Sequence, residues 1–145
     1  MCFVACPQNA KEIRNDVGRA KELIASGRPV YVSVAPSFTA NYNGVNIASF
    51  EQSMKKLGFA GASETAIGAT IVKKHYDEMV GSAKHGVIIS SCCHSINTLI
   101  QKYYPQALPN LARVLSPMQA HCTQIKKEHQ DAYTCLLYTS DAADD

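Results

Sequence analysis

Pro29-Val-Tyr-Val-Ser-Val-Ala-Pro36 is rich in β-branched residues and bounded by proline at both ends. Such a run suits a pleated, buried surface, so it predicts a short strand that delivers Ala35-Pro36-Ser37 at its end. Upstream, Val17, Ala20, Leu23 and Ile24 recur at helical spacing, with Asp16 placed to cap and Gly27 to stop a helix over 16–25. Downstream, Asn46 can cap a second helix in which Ile47, Phe50, Met54 and Leu57 share a face and which Gly58 ends. Residues 66–80 read as a third helix.

Gly86-Val-Ile-Ile-Ser-Ser91 is another compact apolar run, predicted as a strand that leads straight into Cys92-Cys93. Ile96, Leu99, Ile100 and Tyr103 then mark a helix, which sets the cysteine pair at a strand-to-helix junction. Ser116-Pro-Met-Gln119 combines a capping serine, proline at the first helical position and glutamine three residues after the cap, so a helix runs from there toward Glu128. Strands separated by helices of these lengths predict an α/β fold, a short parallel sheet flanked by helices and joined by right-handed crossovers. In such sheets ligands gather at the carboxyl ends of the strands. No internal repeat is visible.

With 145 residues, 46% of them apolar and 18% charged, the chain can bury a sizeable core and is neither a disordered tail nor a coiled coil. A formal charge of +2 is too weak to predict nucleic-acid or anionic-membrane binding. The longest apolar runs fall far short of the ~20 residues of a membrane span. No secretory signal pattern opens the chain, which makes the cytoplasm the expected location. In that reducing compartment six cysteines are more often metal ligands or reactive thiols than disulfide partners.

The cysteines fall in distinct settings. Cys2-x3-Cys6-Pro7 has the spacing of the last two ligands in the ferredoxin run C-x2-C-x2-C-x3-C-P, without the first two. Two small core cysteines would look the same. Cys92 and Cys93 sit where a helix N-terminus lowers thiol pKa, so either can be a ligand or an acid/base group; equally, both can be soft hydrophobes packing a core. His94, His121 and Cys122 are further donors, but none shows the paired spacing of a structural zinc site. From Cys135 to Asp145 periodicity is lost, and the segment resembles translated sequencing-adapter sequence. The expectation is a non-native tail over 135–145, outside the fold.

Taken in order, several stretches resemble the catalytic domain of iron-only ([FeFe]) hydrogenases, in particular divergent forms attached to ferredoxin segments in anaerobic bacteria. Cys2 to Asp16 resembles the end of a ferredoxin-like [4Fe-4S] segment and the linker after it, which makes 1–15 its remnant and 16–134 the N-terminal part of the H-cluster domain. Ser33-Val-Ala-Pro-Ser-Phe38 resembles the strand end whose proline and serine line the active-site pocket, and Glu64-Thr-Ala-Ile-Gly-Ala69 a following turn. Ser90-Ser-Cys-Cys93 resembles the first cysteine signature, and Ser116-Pro-Met-Gln-Ala-His121 the segment after it.

This resemblance implies that Cys93 ligates the cubane of the hydrogen-activating cluster and that Cys92 is the thiol passing protons to its di-iron half. Pro36, Ser37 and Met118 would contact the cofactor, and Cys2 and Cys6 would hold an accessory [4Fe-4S] cluster. The implied partners are ferredoxin or a similar electron carrier, together with dihydrogen and protons. Three departures stand out. His94 follows the cysteine pair where the family has proline; Tyr76 and Met79 fall where two glutamates carry the proton path; Met118 replaces a glutamine. Asp77 and Glu78 lie beside the path positions, but a one-residue shift turns a helical side chain by roughly 100°.

The family's later signatures, Met-Pro-Cys and the final Cys-x3-Cys, are not found after His121. One thiolate cannot retain a cubane, so the polypeptide as written is expected not to assemble the cluster and to leave apolar faces exposed. Two other readings stand beside a hydrogenase fragment. One is a hydrogen or redox sensor with an attached signalling domain, in keeping with Tyr76 and Met79. The other is a metal-free thiol enzyme with Cys92 as nucleophile and His94 or His121 as base.

Overall fold

The computed structural model describes residues 15–42, 44–82 and 86–137. Three parallel strands form one sheet in the order β2-β1-β3, with β1 spanning Val30–Val34, β2 Gly61–Glu64 and β3 Tyr133–Leu137. Val32 pairs with Ala62 on one side and with Cys135 on the other. As the central strand, β1 is covered on both faces: Val30, Val32, Ser33 and Val34 are all 0–1% exposed. That is why its sequence reads as an almost unbroken apolar run and not an alternation.

Helices α1 (Val17–Ala25), α2 (Phe38–Asn41) and α3 (Ile47–Lys56) flank β1 along the chain, and α3 packs against β2. On the α3 face, Val32 and Val34 pack with Phe38 and Phe50, and Val45, Ile47, Met54, Phe59 and Leu137 close around them. The rings of Phe38 and Phe50 meet at 5.3 Å in a tilted arrangement. Asn46 caps α3 by accepting the Ser49 N–H at 2.9 Å, and Gly58 leaves it with φ of 99°, as the sequence predicts. For α1 the local contact differs from expectation, since it is Asn15 Oδ1 that accepts the Val17 N–H.

The opposite face carries α4 (Ala66–Gly81) and α6 (Pro117–Glu128), packed against each other. Their approach requires Gly68, where a Cβ would run into the Pro117 carbonyl. The predicted capping box of α6 is complete: Ser116 Oγ accepts the Gln119 N–H at 3.2 Å, and Gln119 Oε1 accepts the Ser116 N–H at 3.1 Å. Along the chain, α5 (His94–Tyr103) and a 3-10 turn over Pro105–Asn110 come between these two helices, packed on each other. Val17, Leu57, Val80, Val87 and Tyr103 are large apolar residues more than half exposed.

Two expectations need correction. Residues 86–91 do not join the sheet; only Ile89 pairs, through one parallel bridge to Leu111. A short apolar run cannot specify its partner, and both edges of β1 are taken by β2 and β3. At the other end, Cys135, Leu136 and Leu137 belong to the fold, as the second half of β3. The Leu137 carbonyl accepts the Ala35 N–H at 2.9 Å, and the Leu137 side chain packs on the core. The rest of the expected tail, 138–145, lies outside the described residues, as do Cys2 and Cys6. Strand β2, Gly-Ala-Ser-Glu, has no strand propensity to announce it and forms because β1 offers it a ladder.

Candidate functional site

At the carboxyl ends of the strands a cleft of about 520 Å3 opens between the loop after β1, the start of α4, the Ser91-Cys92 segment and the start of α6. Pro36, Cys92 and Met118, far apart in sequence, all line it. Ser37 follows Pro36 directly, at the start of α2. Cys93 is the N-cap residue of α5 and is half-buried, whereas Cys92 is exposed. The site thus lies where an open parallel sheet places ligands.

Three elements hold the segment before the cysteines. From α4, the Tyr76 hydroxyl accepts the Ser91 N–H at 3.0 Å and also meets Ser90 Oγ at 3.2 Å and Ser91 Oγ at 3.3 Å. From α5, Asn97 Nδ2 donates to the Ser91 carbonyl at 2.9 Å, and Ser91 Oγ donates to the Val114 carbonyl at 3.0 Å. Ser90 Oγ in turn donates to Cys92 Sγ at 3.2 Å. A hydrogen-bonded path therefore connects Tyr76 to the Cys92 sulfur. Burial raises the Tyr76 pKa, but the bonds from Ser90 and Ser91 outweigh it and leave the phenol below its ordinary value.

Sequence reasoning placed Tyr76 and Met79 together at glutamate positions. They separate in the structure: Met79 lines a second cavity, between α4 and α6, with His75, Arg113 and Lys127. His121, a candidate base for Cys92, is 1% exposed and has both ring nitrogens engaged, Nδ1 with Ser33 Oγ at 2.8 Å and Nε2 with Ser63 Oγ at 3.0 Å. It is a core histidine with hydroxyl partners. His94 lines the cleft beside Cys92. The partners of His121, Ser33 and Ser63, and Asn97 were not legible as site residues; the Asn97 spacing from Ser91 is the one local signal, an α5 side chain returning to the chain just before its helix.

The family model for the iron only hydrogenase large subunit, C-terminal domain, matches residues 28–138. The chain belongs to that family. A solved structure of an [FeFe]-hydrogenase, described in connection with oxygen inactivation and degradation of the H cluster 2Fe subcluster, shares 19% sequence identity over 85% of this chain, with a TM-score of 0.57. That likeness shows the fold. The chain spans 38% of the length of that hydrogenase.

For a hydrogenase H-cluster domain the implied group is an iron-sulfur and di-iron cofactor. Part of the site fits such a group: the cleft is lined on several sides and by Cys92, while Cys93, its neighbour, is the N-cap residue of α5 and does not itself line the cleft. Asn97 Oδ1, on the cleft wall, is buried without a hydrogen-bond partner among the described residues. The donor set for a cubane does not fit, because among the described residues no three of His, Cys, Asp and Glu converge on one point. No helix among the described residues is long and apolar enough to cross a membrane.

Proposed function

We propose that this hydrogenase-family chain builds one wall of an H-cluster site, with Cys93 supplying one thiolate to a [4Fe-4S] cubane and Cys92 holding a proton at its sulfur on the cleft side. The observation that carries the reading is the convergence of Pro36, Cys92 and Met118 on one cleft at the strand ends. Segments outside 15–137 would supply the remaining thiolates, consistent with a chain that spans 38% of a solved hydrogenase. When bound, the group would supply the redox chemistry of dihydrogen and protons. This chain's residues set the thiols in place: Tyr76 and Asn97 hold the Ser90–Cys92 segment, and Cys93 stands at the N-terminus of α5.

In the same reading, Cys2 and Cys6 belong to an accessory [4Fe-4S] cluster, electrons pass to ferredoxin or a similar carrier, and the protein works in the cytoplasm. The test is iron content and hydrogen–proton exchange in the longest gene product containing this sequence, compared with its Cys93→Ser and Cys92→Ser forms. Cys93→Ser should lower bound iron, whereas Cys92→Ser should keep iron and lose exchange. Unchanged iron in Cys93→Ser would sink the assignment.

A further inference from the structure

Under the cleft a line of hydrogen bonds runs from the interior to the wall. His121 Nε2 meets Ser63 Oγ at 3.0 Å, His121 Nδ1 meets Ser33 Oγ at 2.8 Å, and Ser33 Oγ meets Thr65 Oγ1 at 2.7 Å. Ser33 is 0%, His121 1% and Thr65 9% exposed, and Thr65 is the member that lines the cleft beside Ser91 and Cys92. Burial lowers the His121 pKa, against a smaller opposing pull from Glu128, so the ring is neutral near pH 7.

A neutral imidazole has one N–H and one bare nitrogen, and each hydroxyl has one proton. Only two arrangements then satisfy the line. With the proton on Nδ1, the ring donates to Ser33, Ser33 donates to Thr65, and the Thr65 proton is left for the cleft; Nε2 accepts from Ser63. With the proton on Nε2, the ring donates to Ser63, Ser33 donates to Nδ1, Thr65 donates to Ser33, and the cleft meets only the Thr65 lone pairs. Any other arrangement either strands a buried proton or sets the lone pairs of Ser33 and Thr65 face to face across 2.7 Å with no proton between them.

We propose that Thr65 is a specificity-determining residue of the cleft, and that the ring tautomer of His121 decides whether its hydroxyl offers a proton or a lone pair to a bound group. A ligand group that accepts, such as a small anion or a bare heteroatom, selects the first arrangement; one that donates, such as water or an amine, selects the second. His121 acts through Ser33 and is a positioning residue. The inference goes beyond the cluster assignment and holds whichever group fills the cleft.

Coupling between the two ends is reciprocal, so altering the Thr65 end must change the ring. The experiment labels the histidines of the chain with 15N and reads the His121 tautomer from its ring nitrogen shifts, assigned by loss of the signal in His121→Gln. In Thr65→Val the first arrangement strands the Ser33 proton, so the ring should move toward Nε2–H by about tenfold or more in tautomer ratio. Ser63→Ala strands an Nε2 proton and should move the ring the other way, toward Nδ1–H, while Thr65→Ser should restore the wild-type pattern. If Thr65→Val does not fold, Ser33→Ala cuts the same line and should also give Nε2–H. Identical ring signals in wild type, the Thr65 or Ser33 variant, and Ser63→Ala would overturn the proposal. It would leave the Cys93 iron result untouched.

Discussion

Gly68 on α4 lies against Pro117 on α6 so closely that any side chain there would collide with the proline carbonyl and approach His121 Cβ to 2.9 Å. The two helices that frame the back of the cleft are therefore joined at backbone distance. Pro117 and Met118, the first residues of α6, line the cleft, so this contact also sets the position of one wall.

Gly68→Ala should destabilise the chain by about 3 kcal/mol, because backbone atoms must move apart and a packed interface resists expansion. Alanine's better helix propensity returns only about 1 kcal/mol. Denaturant unfolding of the two forms measures the difference. Equal or greater stability in the alanine form would show that α4 and α6 are not in contact at this point.

Tyr76→Phe removes the acceptor of the Ser91 N–H and the partner of Ser90 Oγ without changing the ring. The Ser91 amide should exchange with solvent roughly fivefold faster, the effect of one hydrogen bond worth about 1 kcal/mol at a partly exposed site. Amide exchange at Ser91, with the α4 amides as internal reference, checks it. Exchange at the wild-type rate would mean that Tyr76 does not hold the cysteine segment.

Cys92 and Cys135 should separate in alkylation. Cys92 is exposed at the cleft rim, whereas burial in β3, reinforced by Cys122, pushes the Cys135 thiol above its ordinary value. Brief treatment with iodoacetamide and peptide mapping should label Cys92 first. Prompt labelling of Cys135 would place residues 135–137 outside the sheet.

Acidification should weaken the fold through His121. Its folded pKa lies below the ordinary histidine value, so between about pH 6.5 and that lower value the unfolded chain binds the proton that the native chain refuses. Stability is fully present above about 6.5 and falls as pH drops through this window. Unfolding midpoints measured at about pH 7.5 and about pH 5.5 should diverge, and less so in His121→Gln. A pH-independent midpoint in the wild type would contradict the buried, neutral ring.

Much of this fold is local in origin and was readable along the chain. The β-branched run at 30–34, the Asn46 and Ser116 caps, the stop at Gly58 and the helical spacing of 66–80 each depend on residues within a few positions of one another. The cysteine pair at the head of a helix was legible for the same reason, as was the family, through short ordered motifs now matched over 28–138.

What is non-local was not. Nothing in Gly61–Glu64 announces a strand, and Tyr133–Leu137 lacks the alternation that would mark one; both exist because β1 has two edges whose N–H and C=O groups need partners. Conversely, Gly86–Ser91 looked like a strand, yet only Ile89 pairs, through a single bridge to Leu111 away from the sheet. Likewise His121, read as a candidate base, became a core residue once Ser33 and Ser63, distant in sequence, closed on its two nitrogens. Side-chain type and short-range spacing determined the helices, the central strand and the place of Cys92-Cys93 at the head of α5. Pairing, burial and hydrogen-bond partners were decided only in the tertiary structure, because each is a property of two or more segments brought together.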